Sequence, residues 1–337
     1  MPEPVAAGRP PTEPAASPTA AVPSAAPAAM DIAWLDGAFV ARTAFAIPAG
    51  DAGFVLGATV TEQLRTFGGR LFLPRAHHDR FATSLAVAGI APAITPRAVF
   101  EAAAAVVRHN HPLLPTGADL GVVILATPGD LPAQHGGRTA RPRVAAHSFP
   151  LAFPLWAAAY RRGVALRTVP ITQVPESCWP LHVKCRSRMH YHLADRAAAA
   201  TEPGARALLC HPDGRVSETS TANVAIVSGG TIVTPPATDA LPGISLAHLR
   251  ALARHCGIGW RERRLGVADV ASADEVLLTS TPSCVVPATR FDGRPVGDGI
   301  PGPAFIRLIA AWSEDVGVDI VAQAERFAIS PPPAVSS

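Results

Sequence analysis

The first pattern along the chain is an alternation of apolar and polar residues on both sides of Asp36-Gly37. An Asp-Gly pair between alternating segments is typical of a tight turn, so residues 32–46 are predicted to form a β-hairpin. The apolar spacing then changes to three and four residues, which predicts helices over Pro74–Gly89 and Pro96–His109. The apolar run Leu120–Ala126 predicts a return to strand, and together these elements indicate one small α+β unit.

A stretch rich in proline and glycine, residues 127–154, follows this unit. It is predicted to be the end of the first unit and a connector, because such residues favour turns. Strand and helix patterns then resume, with an Asp213-Gly214 turn that predicts a second hairpin. The elements predicted here are a strand from Gly163, a helix over Met189–Thr201, hairpin strands Arg206–Cys210 and Arg215–Val227, a helix over Ser245–His255, a strand over Glu275–Thr279 and a closing helix over Pro303–Val316.

This order of elements predicts an α+β fold with mixed sheets and two domains. A chain of 337 residues is long enough for two compact units. We assign residues 30–150 to a small N-terminal domain and residues 151–330 to a larger C-terminal domain. Residues 1–29 contain little except Ala, Pro, Ser and Thr, and we predict a disordered tail that lacks the pattern of a secretory signal.

Composition narrows the possible partners. The net charge of +3 and the pI near 8.8 come from scattered arginines, so no nucleic-acid partner is expected. No apolar stretch reaches the roughly 18 to 20 residues that cross a bilayer, so no membrane role is expected. The five cysteines are odd in number and form no Cys-x-x-Cys pair, which predicts neither a disulfide framework nor a metal site and favours a reducing cytoplasm.

Lys184 is the only lysine of the chain, and the other 28 of its 29 basic residues are arginine. Arginine serves wherever a positive charge is enough, but a guanidinium does not lose its proton in a protein. A lysine amine does, and it then condenses with an aldehyde to a Schiff base. Lys184 also follows the apolar segment Leu181–Val183, a position from which a side chain can face a cleft. A chance remnant of an Ala- and Arg-rich composition is the alternative explanation.

Short motifs surround this lysine in a fixed order. The segments Lys184–Arg196 and Asp213–Val224 resemble the class IV aminotransferases, a pyridoxal-phosphate family that includes branched-chain and D-amino acid aminotransferases and aminodeoxychorismate lyase. Single motifs of this length are weak, whereas an ordered series is specific. The resemblance covers about residues 34–320 and implies a two-domain D-amino acid aminotransferase-like fold, with a small α/β domain and a larger mixed-sheet domain that binds the cofactor. The other matching motifs are Trp34–Gly37, Asp51–Phe54, Glu62–Arg65, His77–Arg80, Leu241–Ser245 and Leu278–Ser283.

The resemblance implies that Lys184 is the catalytic residue. It would hold pyridoxal 5'-phosphate as an internal aldimine and, once released by substrate, carry the proton between substrate and cofactor carbons. Glu218 matches the acid that pairs with the pyridine nitrogen, where a carboxylate keeps the nitrogen protonated and the ring able to accept electrons. A solvated surface acid after the Asp213-Gly214 turn is the alternative for Glu218.

Further positions match the family's contacts to the cofactor phosphate. Arg80 matches a forked guanidinium on the dianion, with a helix-surface arginine as the alternative. Ile244 and Ser245 match backbone amides at the start of a helix, and a plain N-cap is the alternative for Ser245. Thr281 matches another phosphate contact. Asn223 is expected to be a structural hydrogen-bonder.

The chain departs from the family pattern near the substrate. Leu56 stands where many relatives carry an aromatic residue, and Ser187-Arg188 stands where many carry an Asn-Tyr pair. Arg186, Arg188 and Tyr191 are therefore the candidates for contact with substrate, because an arginine binds a carboxylate well. The identity of the substrate does not follow from the resemblance.

The predicted function is transfer of an amino group between an α-amino acid and a 2-oxo acid. Elimination of pyruvate from an aminodeoxychorismate-like substrate is the alternative within the same chemistry. A cofactor-binding protein without turnover is a third hypothesis, motivated by the departures at Leu56 and Ser187-Arg188. The resemblance also implies a homodimer.

Overall fold

The computed structural model of the protein describes residues 31–328, so the tail predicted for residues 1–29 lies outside the described part. Two β-sheets organise this part, one of six strands and one of nine. Helices pack against both sheets, which confirms the predicted α+β class.

The first sheet is antiparallel throughout. It comprises β1 (Ile32–Leu35), β2 (Ala38–Ala41), β3 (Val60–Phe67), β4 (Arg70–Leu71), β5 (Leu120–Thr127) and β6 (Arg143–Pro150), with helices α1 (Ala52–Val55), α2 (Pro74–Ala88) and α3 (Pro96–Asn110) and 3-10 helices Arg42–Ala44, His111–Leu113 and Pro132–Gln134. Its strand order is β2-β1-β6-β5-β3-β4.

Turn and capping residues place these elements where the sequence predicted them. Asp36 and Gly37 join β1 to β2 with φ of 48° and 98°, a left-handed geometry that Asp and Gly tolerate. At the start of α3 the amide of Ala98 donates to the hydroxyl of Thr95, and Pro96 follows in the first turn. The first hairpin, which ends at Ala41 and not at residue 46, and both helices of this unit are thereby confirmed.

The predicted connector over residues 127–154 is wrong in part. Strand β6 lies between β1 and β5 in the middle of the sheet and pairs with β5 along its whole length. Proline and glycine fall in the loop before β6 and at its last residue, so they do not interrupt the ladder. Its valine and alanine run is too short and too uniform to indicate a strand. Helix α4 (Phe153–Arg162) follows and is also absent from the sequence prediction.

The second sheet is mixed, as predicted. Its elements are β7 (Val164–Thr168), α5 (Met189–Thr201), β8 (Arg206–Cys210), β9 (Val216–Thr219), β10 (Asn223–Ser228), β11 (Thr231–Thr234), α6 (Ile244–His255), β12 (Gly259–Glu262), α7 (Val267–Ala271), β13 (Glu275–Ser280), β14 (Cys284–Phe291), β15 (Arg294–Pro295), α8 (Pro303–Val316) and α9 (Ile320–Ala328). The strand order is β12-β11-β10-β13-β14-β7-β8-β9, with β15 beside β14. The parallel pairs are β11 with β12, β14 with β7 and β7 with β8.

Strands β9 and β10 close this sheet on itself. The single strand predicted over Arg215–Val227 is wrong, because a tight turn in which the amide of Ala222 donates to Thr219 Oγ1 splits it in two. Beyond the turn β10 joins β13, and one residue pair, Glu218 with Asn223, still links it to β9. Pairing with a strand that is distant in the sequence, and not the local pattern, therefore decides where each strand ends.

The apolar core under the second sheet is dominated by α6, α8 and α9. Trp312 of α8 is fully buried, together with Leu249 of α6 and Ile320 of α9. Helix α8 has the bounds that the sequence predicted. The first sheet ends at Pro150 and the second begins at Val164, and the division into domains at residues 150 and 151 stays a prediction.

Candidate active site

A cavity of about 640 Å³ is lined by residues of both sheets. Thr61 of β3 and Phe149 of β6 contribute from the first sheet, and Thr219 of β9 and Asn223 of β10 contribute from the second. The structure brings every residue that the sequence analysis selected for the site to this cavity, namely Arg80, Lys184, Arg186, Arg188, Tyr191, Glu218, Ile244, Ser245 and Thr281.

Backbone pairing with the first sheet positions Lys184. The amide of Thr61 donates to the carbonyl of Lys184 over 2.9 Å, and the amide of Arg186 donates to the carbonyl of Thr59 over 2.9 Å. The amide of Lys184 itself donates to Ser84 Oγ of α2 over 3.2 Å. The lysine segment thus adds a short stretch of antiparallel pairing to the part of β3 that β4 does not cover.

The electrostatic setting of Lys184 weakens its hold on the proton. Burial disfavours the ammonium, and the positive charge of Arg80 acts in the same direction. The charges of Glu62 and Glu218 oppose this effect but do not cancel it, and the pKa of Lys184 is lowered from 10.5 to about 8. Lys184 can therefore supply a neutral amine near physiological pH.

Glu218 of β9 is a buried acid, with 7% of its surface exposed. Its Oε1 accepts hydrogen bonds from the Tyr191 hydroxyl at 2.7 Å and from Gln173 Nε2 at 3.3 Å, and its Oε2 accepts one from Asn223 Nδ2 at 3.2 Å. The alternative of a solvated surface acid is therefore wrong. Burial raises the pKa of Glu218, and the Tyr191 hydrogen bond is the largest opposing influence. Gln173 is absent from the sequence prediction, because it lies in a loop without any motif.

Asn223 connects the acid to the loop that precedes α6. Besides Glu218, its Nδ2 donates to the carbonyl of Leu241 at 2.8 Å. A Cβ at Gly243 would lie 1.8 Å from Asn223 Oδ1, so the close approach of the two segments requires glycine there. The structural role expected for Asn223 agrees with these contacts.

The start of α6 presents backbone donors to the cavity. Its N-cap is Gly243, which offers no side-chain oxygen, so the first-turn amides of Ile244 and Ser245 keep their donor capacity. The N-cap alternative for Ser245 is wrong, because this residue is the second of the helix. Ser245 Oγ lies 3.3 Å from Thr281 Oγ1, so two hydroxyls meet beside these amides. Amides and hydroxyls together form a site suited to an anion.

Arg80 of α2 is held by a buried carboxylate. Its Nε and Nη2 each donate to an oxygen of Glu62 over 2.7 Å, and its Nη1 donates to the carbonyl of Pro242 over 3.1 Å. With 12% of its side chain exposed, Arg80 is not the helix-surface arginine of the alternative interpretation. The guanidinium edge is oriented by these bonds and contributes to the cavity wall.

Glu62 is the acid that fixes this arginine. Burial raises its pKa, but the hydrogen bond and charge of Arg80, followed by those of His77, lower it to about 2. His77 Nδ1 lies 2.7 Å from Glu62 Oε2. Both residues stand in matching motifs, but neither was assigned a role from the sequence, although a carboxylate within the buried strand β3 was a signal for such a pair.

Arg186 and Arg188 add positive charge to the cavity. Arg188 donates to the carbonyl of Ser220, and its guanidinium carbon lies 4.5 Å from the centre of the Tyr191 ring. In the part of the chain that the structure describes, neither arginine forms an ion pair with a carboxylate. The Tyr191 hydroxyl already donates to Glu218. Of the three predicted substrate contacts, the two arginines are therefore the ones whose positive charge can bind an anionic ligand.

The chemistry of these groups fits the predicted cofactor. A lysine amine of lowered pKa suits an aldehyde, a buried carboxylate suits a protonated ring nitrogen, and amides, hydroxyls and a guanidinium suit a phosphate dianion. Over residues 31–328 there is no group of three or more His, Cys, Asp or Glu that could hold a metal ion. No helix of that same range is long and apolar enough to span a membrane.

Comparison with known proteins places the chain in a family. The sequence profile described as Amino-transferase class IV matches residues 59–291, more than half of the chain. The chain belongs to the class IV aminotransferases. Two curated relatives in this family are the D-alanine aminotransferases of Bacillus licheniformis, 28% identical over 80% of this chain and 91% of the relative, and of Staphylococcus aureus strain COL, 27% identical over 83% and 95%.

Solved structures of this family share the fold. A branched-chain amino acid aminotransferase from Escherichia coli superposes with a TM-score of 0.78 at 24% identity, over 85% of this chain and 94% of that structure. The T.th. branched-chain amino acid aminotransferase, in complex with N-(5'-phosphopyridoxyl)-L-glutamate, superposes with a TM-score of 0.75 at 26% identity over 86% and 95%. The predictions of family, fold, enzyme class and a pyridoxal-phosphate cofactor are thereby confirmed for this class IV aminotransferase.

Proposed function

We propose that the protein moves an amino group between an α-amino acid and a 2-oxo acid, with pyridoxal 5'-phosphate bound through Lys184. The observation that carries this proposal is the single lysine of the chain, whose pKa is lowered to about 8, in one cavity with Glu218. At physiological pH part of this amine is neutral, the form that reacts with a carbonyl.

The proposed chemistry divides between the lysine and the acid. When bound, pyridoxal phosphate supplies an aldehyde and a ring that accepts electrons from the substrate carbon. Nζ of Lys184 would hold the cofactor and, once free of it, would carry the proton from the substrate α-carbon to the cofactor carbon. The Glu218 carboxylate would hold a proton at the ring nitrogen by charge and hydrogen bonding.

We assign the phosphate to the start of α6. The amides of Ile244 and Ser245, the hydroxyls of Ser245 and Thr281 and the guanidinium of Arg80 surround one end of the cavity wall with donors. A dianion suits this set, because charge-assisted hydrogen bonds are the stronger ones. Glu62 orients Arg80 towards the phosphate. Its negative charge also offsets part of the repulsion between the Arg80 guanidinium and the Lys184 ammonium.

We assign the substrate carboxylate to Arg186 and Arg188. Neither guanidinium forms an ion pair with an acid in the described chain, and both line the cavity that holds Lys184. Replacement Arg188→Ala should raise KM for all amino acids that the enzyme accepts, since the lost bond is to a group they share. Unchanged KM values across the accepted substrates would contradict this assignment.

The reaction is tested by absorbance spectroscopy with a panel of amino donors. The purified, cofactor-saturated protein should show a visible band that disappears when amino acid alone is added. Lys184→Arg keeps the charge and removes the amine, so it should lack the band. Pyruvate release without an acceptor would instead favour the lyase, and a bound, reducible cofactor without response to any donor would favour a protein without turnover.

We further propose a homodimer in a reducing cytoplasm. Large apolar side chains are exposed beside the cavity, with Leu56 at 62% and Met189 at 69%. The segments that carry them approach each other, because Ser187 Oγ donates to the carbonyl of Gly57 over 2.8 Å. Light scattering should give twice the chain mass, and Leu56→Ser with Met189→Ser should weaken the association. A monomer at micromolar concentration would contradict it.

A further inference from the structure

The hydroxyl of Tyr191 donates to Glu218, and the hydrogen-bond directions can be assigned in one way. The backbone amide of Val174 donates to Gln173 Oε1 over 2.9 Å, which identifies that atom as the amide oxygen. Gln173 Nε2 is therefore the donor in its 3.1 Å contact with the Tyr191 oxygen. Because the Tyr191 oxygen accepts there, its proton points to Glu218 Oε1 at 2.7 Å.

Further contacts hold this pair in place. His190 Nε2 lies 3.0 Å from Gln173 Oε1, and the His190 ring lies 3.9 Å from the Tyr191 ring. Arg188 covers the Tyr191 ring at 4.5 Å. Gln173 also donates to Ser217 Oγ over 3.1 Å and is 1% exposed. A side chain with so many fixed contacts has little freedom to turn away from its acid.

We propose that Tyr191, with its hydroxyl oriented by Gln173, is a positioning residue that keeps the buried Glu218 carboxylate ionised and anchors its Oε1, so that Oε2, which in the described chain accepts one hydrogen bond, from Asn223, keeps a free acceptor position for a ligand. The inference rests on the proposed function, in which Glu218 pairs with the ring nitrogen of the cofactor. It assigns to Tyr191 a role through Glu218 instead of a contact with substrate.

The physical need for such a donor follows from burial. A carboxylate removed from water tends to take up a proton, and burial raises the pKa of Glu218. A neutral acid does not hold a positive charge on a ring nitrogen. Groups from every neighbouring segment oppose this rise in the pKa of Glu218. They are the hydroxyl of Tyr191 on α5, the charge of Lys184 beside β3, the backbone of Leu241 before α6, the charge of Arg188, and the side-chain amides of Gln173 and Asn223.

The test is a direct titration of Glu218 in cofactor-free protein. Infrared difference spectra record the protonated carboxyl band, and its loss in Glu218→Gln assigns it. Tyr191→Phe keeps the ring and removes the donor, so the midpoint should rise by about one to two pKa units. Gln173→Leu should move it in the same direction by less, since it removes the longer 3.3 Å bond to Oε1 and the orientation of Tyr191 but leaves the Tyr191 donor in place.

Tyr160→Phe is the matched control. Its hydroxyl also makes one buried hydrogen bond, to the carbonyl of Ser283 at 2.9 Å, and it does not touch Glu218. The Glu218 midpoint should stay in place in this variant. An unchanged midpoint in Tyr191→Phe, or an equal shift in Tyr160→Phe, would overturn the proposal.

A second measurement links the Tyr191–Glu218 hydrogen bond to the reaction. In cofactor-loaded Tyr191→Phe the acid limb of kcat should move to higher pH by the same amount, with KM nearly unchanged, because Glu218 is needed as an anion. A shifted infrared midpoint without this movement would overturn the link to the ring nitrogen. Failure of the proposed function is recognised separately, by a wild-type spectrum that does not respond to amino donors, because the infrared titration needs no cofactor.

Discussion

Lys184 is expected to react with aldehydes at a much lower pH than an ordinary lysine does. Its pKa of about 8 compares with 10.5 for an unperturbed side chain, with burial as the main cause and the charge of Arg80 as the next. At pH 7.5 about a quarter of the Lys184 amines are then neutral, against about 0.1% of unperturbed amines. The structure thus predicts about 200-fold more neutral amine at Lys184 than at a solvent-exposed lysine at this pH.

The assay is reductive labelling of cofactor-free protein. Short exposure to a small aldehyde with borohydride between pH 6 and 11, followed by peptide mass spectrometry, gives the rate at this one site, because no other lysine competes. Lys184→Arg should leave only the α-amino group at the chain start as a target. A rate midpoint near 10.5 would refute the electrostatic argument.

Two substitutions test the causes of this shift with opposite signs. Arg80→Leu should raise the midpoint, because the positive charge that disfavours the ammonium is removed. Glu62→Gln should lower it, because the negative charge that favours the ammonium is lost. Equal shifts in one direction would show a general disturbance of the cavity instead of the charge effect.

Glu62→Gln should make the free energy of unfolding depend less on pH below 4.5. The pKa of Glu62 in the folded protein, about 2, lies below the ordinary 4.5, so this carboxylate stabilises the fold above pH 4.5 and its contribution fades as the pH falls towards 2. Chemical denaturation at several pH values measures this dependence. Near neutral pH its loss should cost about 3–5 kcal/mol, because a buried partner is left unpaired. Gly243→Ala should weaken cofactor binding at least several-fold, since its Cβ would lie 1.8 Å from Asn223 Oδ1. Gly266→Ala is the control and should not weaken it, because the nearest atom would lie 3.8 Å from the added Cβ. An unchanged cofactor dissociation constant in Gly243→Ala would contradict the close approach. Trp312→Ala should lower the free energy of unfolding by about 3–5 kcal/mol through lost packing alone, because its Nε1 has no acceptor in the described chain, and a loss below about 1 kcal/mol in urea would contradict its burial.

The five longest helices, α2, α3, α5, α6 and α8, were predictable from the sequence because their information is local. The apolar spacing in Pro303–Val316, and a capping threonine before Pro96, set helix bounds without knowledge of neighbours. Strand β6 and the division between β9 and β10 were not predictable in this way. Their ends depend on pairing with β1, β5 and β13, which come from distant parts of the chain.

The candidate site shows the same limit at the level of side chains. Motifs indicated Lys184, Glu218 and the residues around α6, because each combines a reactive group with a turn or a helix start. Gln173 carries no such signal, and its importance arises from contacts with Tyr191 and Glu218, 18 and 45 positions further along the chain. A hydrogen-bond direction is a property of the assembled network and has no trace in the order of residues.

The pairing of the Lys184 segment with β3 has a consequence for the order in which the protein folds. The nucleophile owes its place to backbone bonds with Thr59 and Thr61, across more than a hundred intervening residues, while its acid belongs to the second sheet. Contacts of such long sequence separation form late, because closing a long loop is entropically unfavourable. During refolding, hydrogen-exchange protection at the amides of Thr61 and Arg186 should therefore appear after that of local hairpins such as β13 with β14, and competence to bind the aldehyde should appear with it.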